Sequence, residues 1–423
     1  MQKRYYTDYD EYIKFQSEKT LNPEKRKKWL GEEWDLKLDG FKNEFAKLSN
    51  YLDKDMKCLC IGARTGQEVL ALKELGIENV VGIDIVPHDP YVIIGDMHNL
   101  DYDDDYFDFV YTNIIDHSIY PAKAIGEIER VLKNNGIFFL QMQIGIDQDT
   151  YTEFVIKNPF HDVCVLFEQS YCVHISGIER NFAGMNFEMI FQKDQTLSKI
   201  FKTYGRLDKL EIPATYEKIW EDINLPIQTK KLNTSDIVSN KKRNVILSGL
   251  KKRAYYLTRI AKEHGIRDII EVGTAEGWQF YSFCEYARKE MKEGSVTSCD
   301  PRDVRSKKYI EEYADDKKVK YIQGTSNDIT NDIKAQMIFI DGLHDANMVS
   351  LDVYNLQGNQ DDSNNVAPVW VFDDFDVRFG CYEDIARICQ FSRRFKVYRI
   401  GLTASGEPSH QVLVRGKFNV TEN

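Results

Sequence analysis

The stretch from Ile269 to Phe280 constrains the chain more than any other. Ile269-Ile270-Glu271-Val272 is a short apolar run, the mark of a strand buried in a parallel sheet. It closes in a glycine turn, Gly273-Thr274-Ala275-Glu276-Gly277, and a helical pattern starts at Trp278. Glycine has no Cβ, so backbone can pass close beneath a ligand there. The N–H groups of the following helix then point at that ligand and favour an anionic group. Glu271 sits at the buried strand end, where a carboxyl needs a partner.

The same order occurs earlier in the chain. Cys58-Leu59-Cys60-Ile61 predicts a buried strand, Gly62-Ala63-Arg64-Thr65-Gly66 a turn, and EVLALKELG a helix ending at Gly76. Val80 to Ile83 is a second strand ending in Asp84, and YVIIGDMHNL a third strand edge carrying Asp96. FDFVYTNIIDH places a fourth strand over Phe107 to Tyr111, with Asn113, Asp116 and His117 at its carboxyl end. AIGEIERVLKNNGIFFLQM reads as a helix, an Asn-Gly turn and a fifth strand. VCVLFEQSYCVHISG and NFEMIFQK read as closing antiparallel strands. The second copy repeats this sequence of elements: a helix ended by Gly265, the IIEV strand, the loop, a helix from Trp278 to Glu290, then SVTSCD, KVKYIQGTSND and MIFIDGLHD. A polar loop, VWVFDDFD, FKVYRIG and HQVLVRG follow. Alternation of this kind builds right-handed βαβ units around a parallel sheet. Ligands of such sheets lie outside the carboxyl ends of the strands. Shared order and spacing indicate a duplicated fold.

The 423 residues suit this count. The expected organisation is a helical N-terminal extension over 1–54, a first domain over 55–195, a helical connector over 196–248 and a second domain over 249–423. In the extension, Leu38, Phe41, Phe45, Leu48 and Leu52 fall at helical spacing. A net charge of −11 disfavours sequence-independent nucleic-acid binding, which needs basic faces. The N-terminus has no apolar h-region and no run is long enough to span a membrane. The eight cysteines form no C-x-x-C pair. Cys58 and Cys60 are expected on opposite faces of their strand, and all eight as reduced thiols in a cytoplasm, the host's for a viral source.

A dinucleotide site wants G-x-G-x-x-G. Ala275 and Trp278 stand at its second and third glycine positions in the second copy, and Arg64 and Gln67 depart from it in the first. These residues argue against a nicotinamide-dependent oxidoreductase. The pattern E-x-G-x-A-x-G instead resembles the first motif of class I S-adenosylmethionine (SAM) methyltransferases. The resemblance implies an α/β protein of two tandem Rossmann-like domains with mostly parallel seven-stranded sheets. It implies a cofactor set of Glu271, Gly273, Ala275, Gly277, Asp300 and Ser326 in the second copy, with Asp300 on the ribose. The first copy resembles the type 11 group. There Gly62 and Gly66 would form the loop, Asp84 would hold the ribose, and Asp96 with Met97 would flank adenine. One departure is Cys60, which stands where the second copy has Glu271.

Two further strand ends carry acids. MIFIDGLHD delivers Asp341, with His344 three residues on, and PVWVFDDFD delivers Asp373 and Asp374. Carboxylates meeting at neighbouring strand ends repel one another unless a cation lies between them. Oxygen-only ligands suit Mg²⁺ or Mn²⁺. IDGLHD and FDDF resemble the type 24 methyltransferases and the macrocin-type, metal-dependent sugar O-methyltransferases. Asp341, Asp373 and Asp374 would then be metal ligands, and His344 or Asp341 the base. In the first copy, Asp116 and His117 form a candidate metal-free base pair, the acid orienting the imidazole; a helix cap is the alternative. The expected function is SAM-dependent O-methylation of a sugar or glycan, with both domains acting on different hydroxyls. The alternatives are one active domain beside a degenerate N-terminal binding module, or a phenolic or other small-molecule acceptor. Partners expected are the glycan substrate and a second copy of the chain as a homodimer, with no specific nucleic acid.

Overall fold

The computed structural model describes residues 4–145, 150–195, 211–216, 251–275, 277–302, 318–343, 345, 347–361, 368–375, 379–391, 394–399 and 411–418. The chain divides into two compact units, Met1–Ile200 and Phe201–Asn423. Most of the expected connector lies outside the described residues, as does His344.

The first unit opens with three helices, α1 (Tyr9–Leu21), α2 (Pro23–Leu30) and α3 (Trp34–Ala46). The Asp8 side chain caps α1 by accepting from the Glu11 N–H at 2.9 Å. Asn22 caps α2 in the same way, and Pro23 stands where a missing N–H costs nothing. Then come β1 (Cys58–Ile61), α4 (Gln67–Glu74), β2 (Val80–Asp84), β3 (Val92–Ile94), β4 (Phe107–Thr112), α5 (Pro121–Val131), β5 (Leu132–Met142), β6 (Ser170–Gly177) and β7 (Phe187–Lys193). Their sheet order is β3-β2-β1-β4-β5-β7-β6. The first five run parallel and the last two antiparallel. Strand order reverses between β1 and β4, and a ligand crevice opens at such a point.

Helix α3 ends at Ala46, so Leu48 and Leu52 of the apolar series lie beyond it. Phe41 and Phe45 pack with Cys58, Cys60, Phe109, Tyr111 and Phe139 in one core cluster. Cys58 and Cys60 therefore share a face, as residues two apart on a strand must; the expectation of opposite faces was wrong. Every cysteine is buried and unpaired by disulfide. Burial pushes the Cys58 thiol up to about 12.

The second unit has a helix over 251–263, β8 (Asp268–Val272), a helix Trp278–Lys289, β9 (Ser295–Asp300), β10 (Val319–Gln323), β11 (Met337–Ile340), a helix Met348–Leu356, β12 (Val369–Phe372), a helix Cys381–Phe391, β13 (Phe395–Arg399) and β14 (Val412–Gly416). Its order, β10-β9-β8-β11-β12-β14-β13, repeats that of the first unit strand for strand. The segment read as a polar loop holds the helix Met348–Leu356, which buries Val349, Val353 and Leu356. No helix of the described residues is long and apolar enough to cross a membrane.

Gly273 shows what the turn demands. Its φ is +91°, and an added Cβ would run into the Asp341 carbonyl oxygen. Gly265 has φ +62°, with open space around an added Cβ among the described residues. Gly273→Ala is expected to cost at least about 2 kcal/mol and Gly265→Ala nearer 1 kcal/mol. Thermal unfolding of the two variants against wild type checks the order, which equal losses would contradict.

Candidate active site

Both glycine loops are held by the same bonds. The Gly62 N–H donates to the Ile83 carbonyl at 2.8 Å, and Gly66 closes the turn onto the Ala63 carbonyl at 2.7 Å. Gly273 donates to the Cys299 carbonyl at 2.9 Å and Gly277 to that of Thr274 at 2.7 Å. Between the glycines sits a residue in left-handed conformation, Arg64 at φ 44° and Ala275 at φ 46°. Its N–H donates to the acid ending the next strand: Arg64 to Asp84 at 3.1 Å, Ala275 to Asp300 at 2.8 Å. The loop and the acid are thus one structure, aimed out of the carboxyl edge of the sheet.

The two acids differ in their surroundings. Burial raises the Asp84 carboxyl, although the Val86 N–H and Arg64 act against it. For Asp300 burial also works upward, but the Arg302 guanidinium grips both its oxygens at 2.8 to 2.9 Å and holds it below the usual range. Glu271 has the partner its position required, accepting the Ser298 hydroxyl at 2.5 Å. Ser326, expected among the cofactor residues, is buried and donates to Asp352 at 2.6 Å.

In the first unit a cleft runs along the carboxyl edge of the sheet. It is lined by Gly62, Arg64, Asp84, Asp96, Met97 and His117. Helix α1 covers it with Tyr12, Ile13, Gln16 and Thr20. Asp96 accepts from the Tyr9 hydroxyl at 2.6 Å and from the His98 N–H at 2.9 Å. A second cleft adjoins the first and shares Lys19, Gly62, Arg64, Ile114 and His117 with it. Its other walls bear Lys37, Gln67, Glu68, Asn113, Asp116 and Gln143, with Phe41 as an apolar patch.

His117 lies at the junction. Its Nδ1 is 3.0 Å from the Tyr151 carbonyl oxygen and 3.2 Å from Gln16 Oε1. A carbonyl oxygen can only accept, so Nδ1 carries the proton and the neutral ring has its lone pair on Nε2. Asp116 approaches Nε2 at 4.0 Å and takes the Thr152 hydroxyl at 3.2 Å. Tyr151 and Gln16 hold the imidazole through Nδ1, with Asp116 on its Nε2 side.

In the second unit, β11 and β12 are parallel neighbours with Ile340 opposite Phe372, so Asp341 and Asp373 leave adjacent strand ends together. Burial, then the negative charges of Asp373 and Asp374, hold the Asp341 carboxyl well above the usual range, while Arg253 opposes them. Arg253 pairs directly with Asp373. The Asp374 N–H turns back onto Asp373 Oδ1 at 2.9 Å. Among the described residues no group of three His, Cys, Asp or Glu side chains is arranged to hold a metal ion. The donors match a hard cation in chemistry, and Arg253 is a cation within their reach.

A methyltransferase domain of the type 11 family matches residues 59–140. One of the type 24 family matches residues 270–374. The chain carries two methyltransferase domains in tandem, and it is a SAM-dependent methyltransferase.

No curated protein matches the sequence. Among solved structures, a SAM-dependent methyltransferase from Methanosarcina mazei is 19% identical, over 35% of this chain and 97% of its own, with a TM-score of 0.30. The 1,6-didemethyltoxoflavin-N1-methyltransferase of Burkholderia thailandensis, bound to its substrate and S-adenosylhomocysteine, is 17% identical over 43% of this chain and 87% of its own, with a TM-score of 0.33. The [4+2]-cyclase SpnF is 14% identical over 36% and 80%, with a TM-score of 0.32.

Sequence reasoning about this methyltransferase missed Tyr9, Tyr12 and Gln16 of α1, Arg253, and Glu68. The first three stand among polar residues far from the loop in sequence. The signal available was the run of aromatics over YYTDYDEYIKF, which a solvated helix has no use for.

Glu271 makes the site pH-sensitive. Burial pushes its carboxyl up to about 8, against the Ser298 hydrogen bond. The unfolded chain releases this proton near pH 4.3. From there to about 8 the folded state binds the extra proton, so stability falls as pH rises, by on the order of a few kcal/mol across that window. Glu271→Gln is expected to flatten this slope. Melting temperatures of wild type and variant from pH 5 to 8 check it; parallel slopes would contradict the assignment.

Proposed function

We propose that this methyltransferase modifies hydroxyl oxygens of a sugar or glycan. The observation carrying the proposal is the pair of adjoining clefts of the first unit, meeting at His117. The first has the loop and acids suited to a nucleoside. The second is lined by amide, carboxyl and amine groups around one aromatic side chain, Phe41. Such a lining suits a polyhydroxylated ring, whose hydroxyls need partners and whose C–H face needs an apolar surface.

SAM supplies, when bound, an activated methyl on a cationic sulfonium. The chain must make the acceptor hydroxyl nucleophilic and align it. In the first unit His117 Nε2 takes the hydroxyl proton, while Tyr151 and Gln16 hold the ring in the required tautomer. Such a base contributes about 10²–10⁴-fold. Helix α1 excludes water from the cleft. Asp84, oriented by the Arg64 N–H, would hold the nucleoside end, and Asp96 and Met97 would border the adenine.

In the second unit Asp341, Asp373 and Asp374 are the residues that would hold Mg²⁺ or Mn²⁺, which lowers the pKa of a coordinated oxygen. Arg253 then has to share or release Asp373. Asp341 or His344 is the candidate base there. The two units would act on different hydroxyls. The alternative of a non-catalytic first unit rests on Cys60.

Tritiated-methyl transfer to rhamnose- and fucose-type glycans, with and without EDTA, tests the reading. Asp341→Ala is expected to remove the EDTA-sensitive turnover with SAM affinity unchanged. His117→Gln should cut the EDTA-resistant turnover by about 10²–10⁴-fold. Loss of SAM binding in Asp341→Ala, or methylation of phenolic acceptors only, would contradict the assigned roles.

A further inference from the structure

The second unit carries Glu271 two residues before its first glycine, and the first unit carries Cys60 there. Cys60 lies in β1 between Gly82 and Tyr111 of the neighbouring strands and is fully buried. The backbone does not leave that corner without an acid. Glu68 stands in the first turn of α4, directly after the glycine loop, and is buried there. Burial raises the Cys60 thiol and the Tyr111 phenol, and the charge of Glu68 adds to both.

Glu68 is 6% exposed and lines the second cleft beside Gly62 and Arg64. Its Oε2 is buried and meets no hydrogen-bond partner among the described residues. A buried carboxyl left so destabilises a fold, and such an atom points to a ligand group that completes it. Burial raises it to about 7, while its own backbone N–H, then Arg64 and Lys37, pull it down. Arg64 lies over the Trp29 ring at 4.3 Å, and Lys37 over the same ring at 5.5 Å. Glu68 shares the cleft with Asp116 and with Arg64 and Lys37, the latter paired with Glu33, and carboxyl and cation side by side at a glycine loop are complementary to a zwitterion.

We propose that Glu68 receives the α-ammonium of the cofactor's methionine end in the first unit, supplying from helix α4 the carboxyl that β1 lacks at Cys60. The inference rests on the reading that the first unit binds SAM. Glu68 is a binding residue for the cofactor, and Arg64 and Lys37 favour the carboxylate of the same amino-acid end.

The test uses the full chain carrying Asp300→Ala, so that the heat of binding reads from the first unit. S-adenosylhomocysteine, its des-amino analogue and 5′-methylthioadenosine are titrated with and without Glu68→Gln. Glu68→Gln is expected to weaken S-adenosylhomocysteine by about ten- to a hundred-fold, the worth of one bond between charged groups. Methylthioadenosine should be unaffected, and the melting temperature should hold or rise. Unchanged S-adenosylhomocysteine binding overturns the role of Glu68 and leaves SAM binding standing. Absence of binding by any of the three to the parent overturns both readings together. Equal weakening of all three ligands, or a lower melting temperature, assigns Glu68 a structural role and overturns the proposal. Should the variant fail to fold, the parent decides alone: tighter binding of S-adenosylhomocysteine than of the des-amino analogue by tenfold or more supports it, and equal binding overturns it.

Discussion

One hydrogen bond, made twice, organises both units: a loop N–H in left-handed conformation donating to the acid at the end of the next strand. Arg64 makes it to Asp84 and Ala275 to Asp300. It couples the glycine turn after one strand to the carboxyl end of its neighbour, so neither can move alone. Flanking glycines allow the geometry, since their φ values of +77° to +91° exclude most side chains. The bond leaves Asp84 lining the cleft of the first unit, whereas both oxygens of Asp300 are also held by Arg302.

Around that shared bond the units have diverged electrostatically. In the second, Arg302 grips Asp300 and Arg253 pairs with Asp373, so cations of the chain already compensate the carboxylates. Any divalent ion and any ribose hydroxyl must compete with these guanidinium groups. In the first, burial keeps the Asp84 carboxyl raised against the pull of Arg64, and Arg64 and Lys37 lie over the Trp29 ring. The first unit also builds its own cover from α1, whose Tyr12 hydroxyl is tied to the His117 carbonyl at 3.0 Å.

The fold was legible because buried parallel strands announce themselves as apolar runs closed by glycine. Both sheets, their strand edges and the acids at them could be read from the residues. The helix Met348–Leu356 could not, because polar residues such as Ser350, Asp352 and Asn355 interrupt its apolar face. Asp116 and His117 were read as partners because they adjoin in sequence. The imidazole is also held by Tyr151 and Gln16, long-range contacts no local pattern encodes. Glu68 escaped notice for a related reason. A glutamate in the first turn of a helix is ordinary electrostatics, and only its burial marks it as something else.

The central claim is that both carboxyl edges hold one SAM nucleoside each. Calorimetric titration of S-adenosylhomocysteine into the full chain tests it most directly. The account predicts two molecules bound per chain, with Asp84→Ala and Asp300→Ala each removing one. A stoichiometry of one, or none, would contradict it.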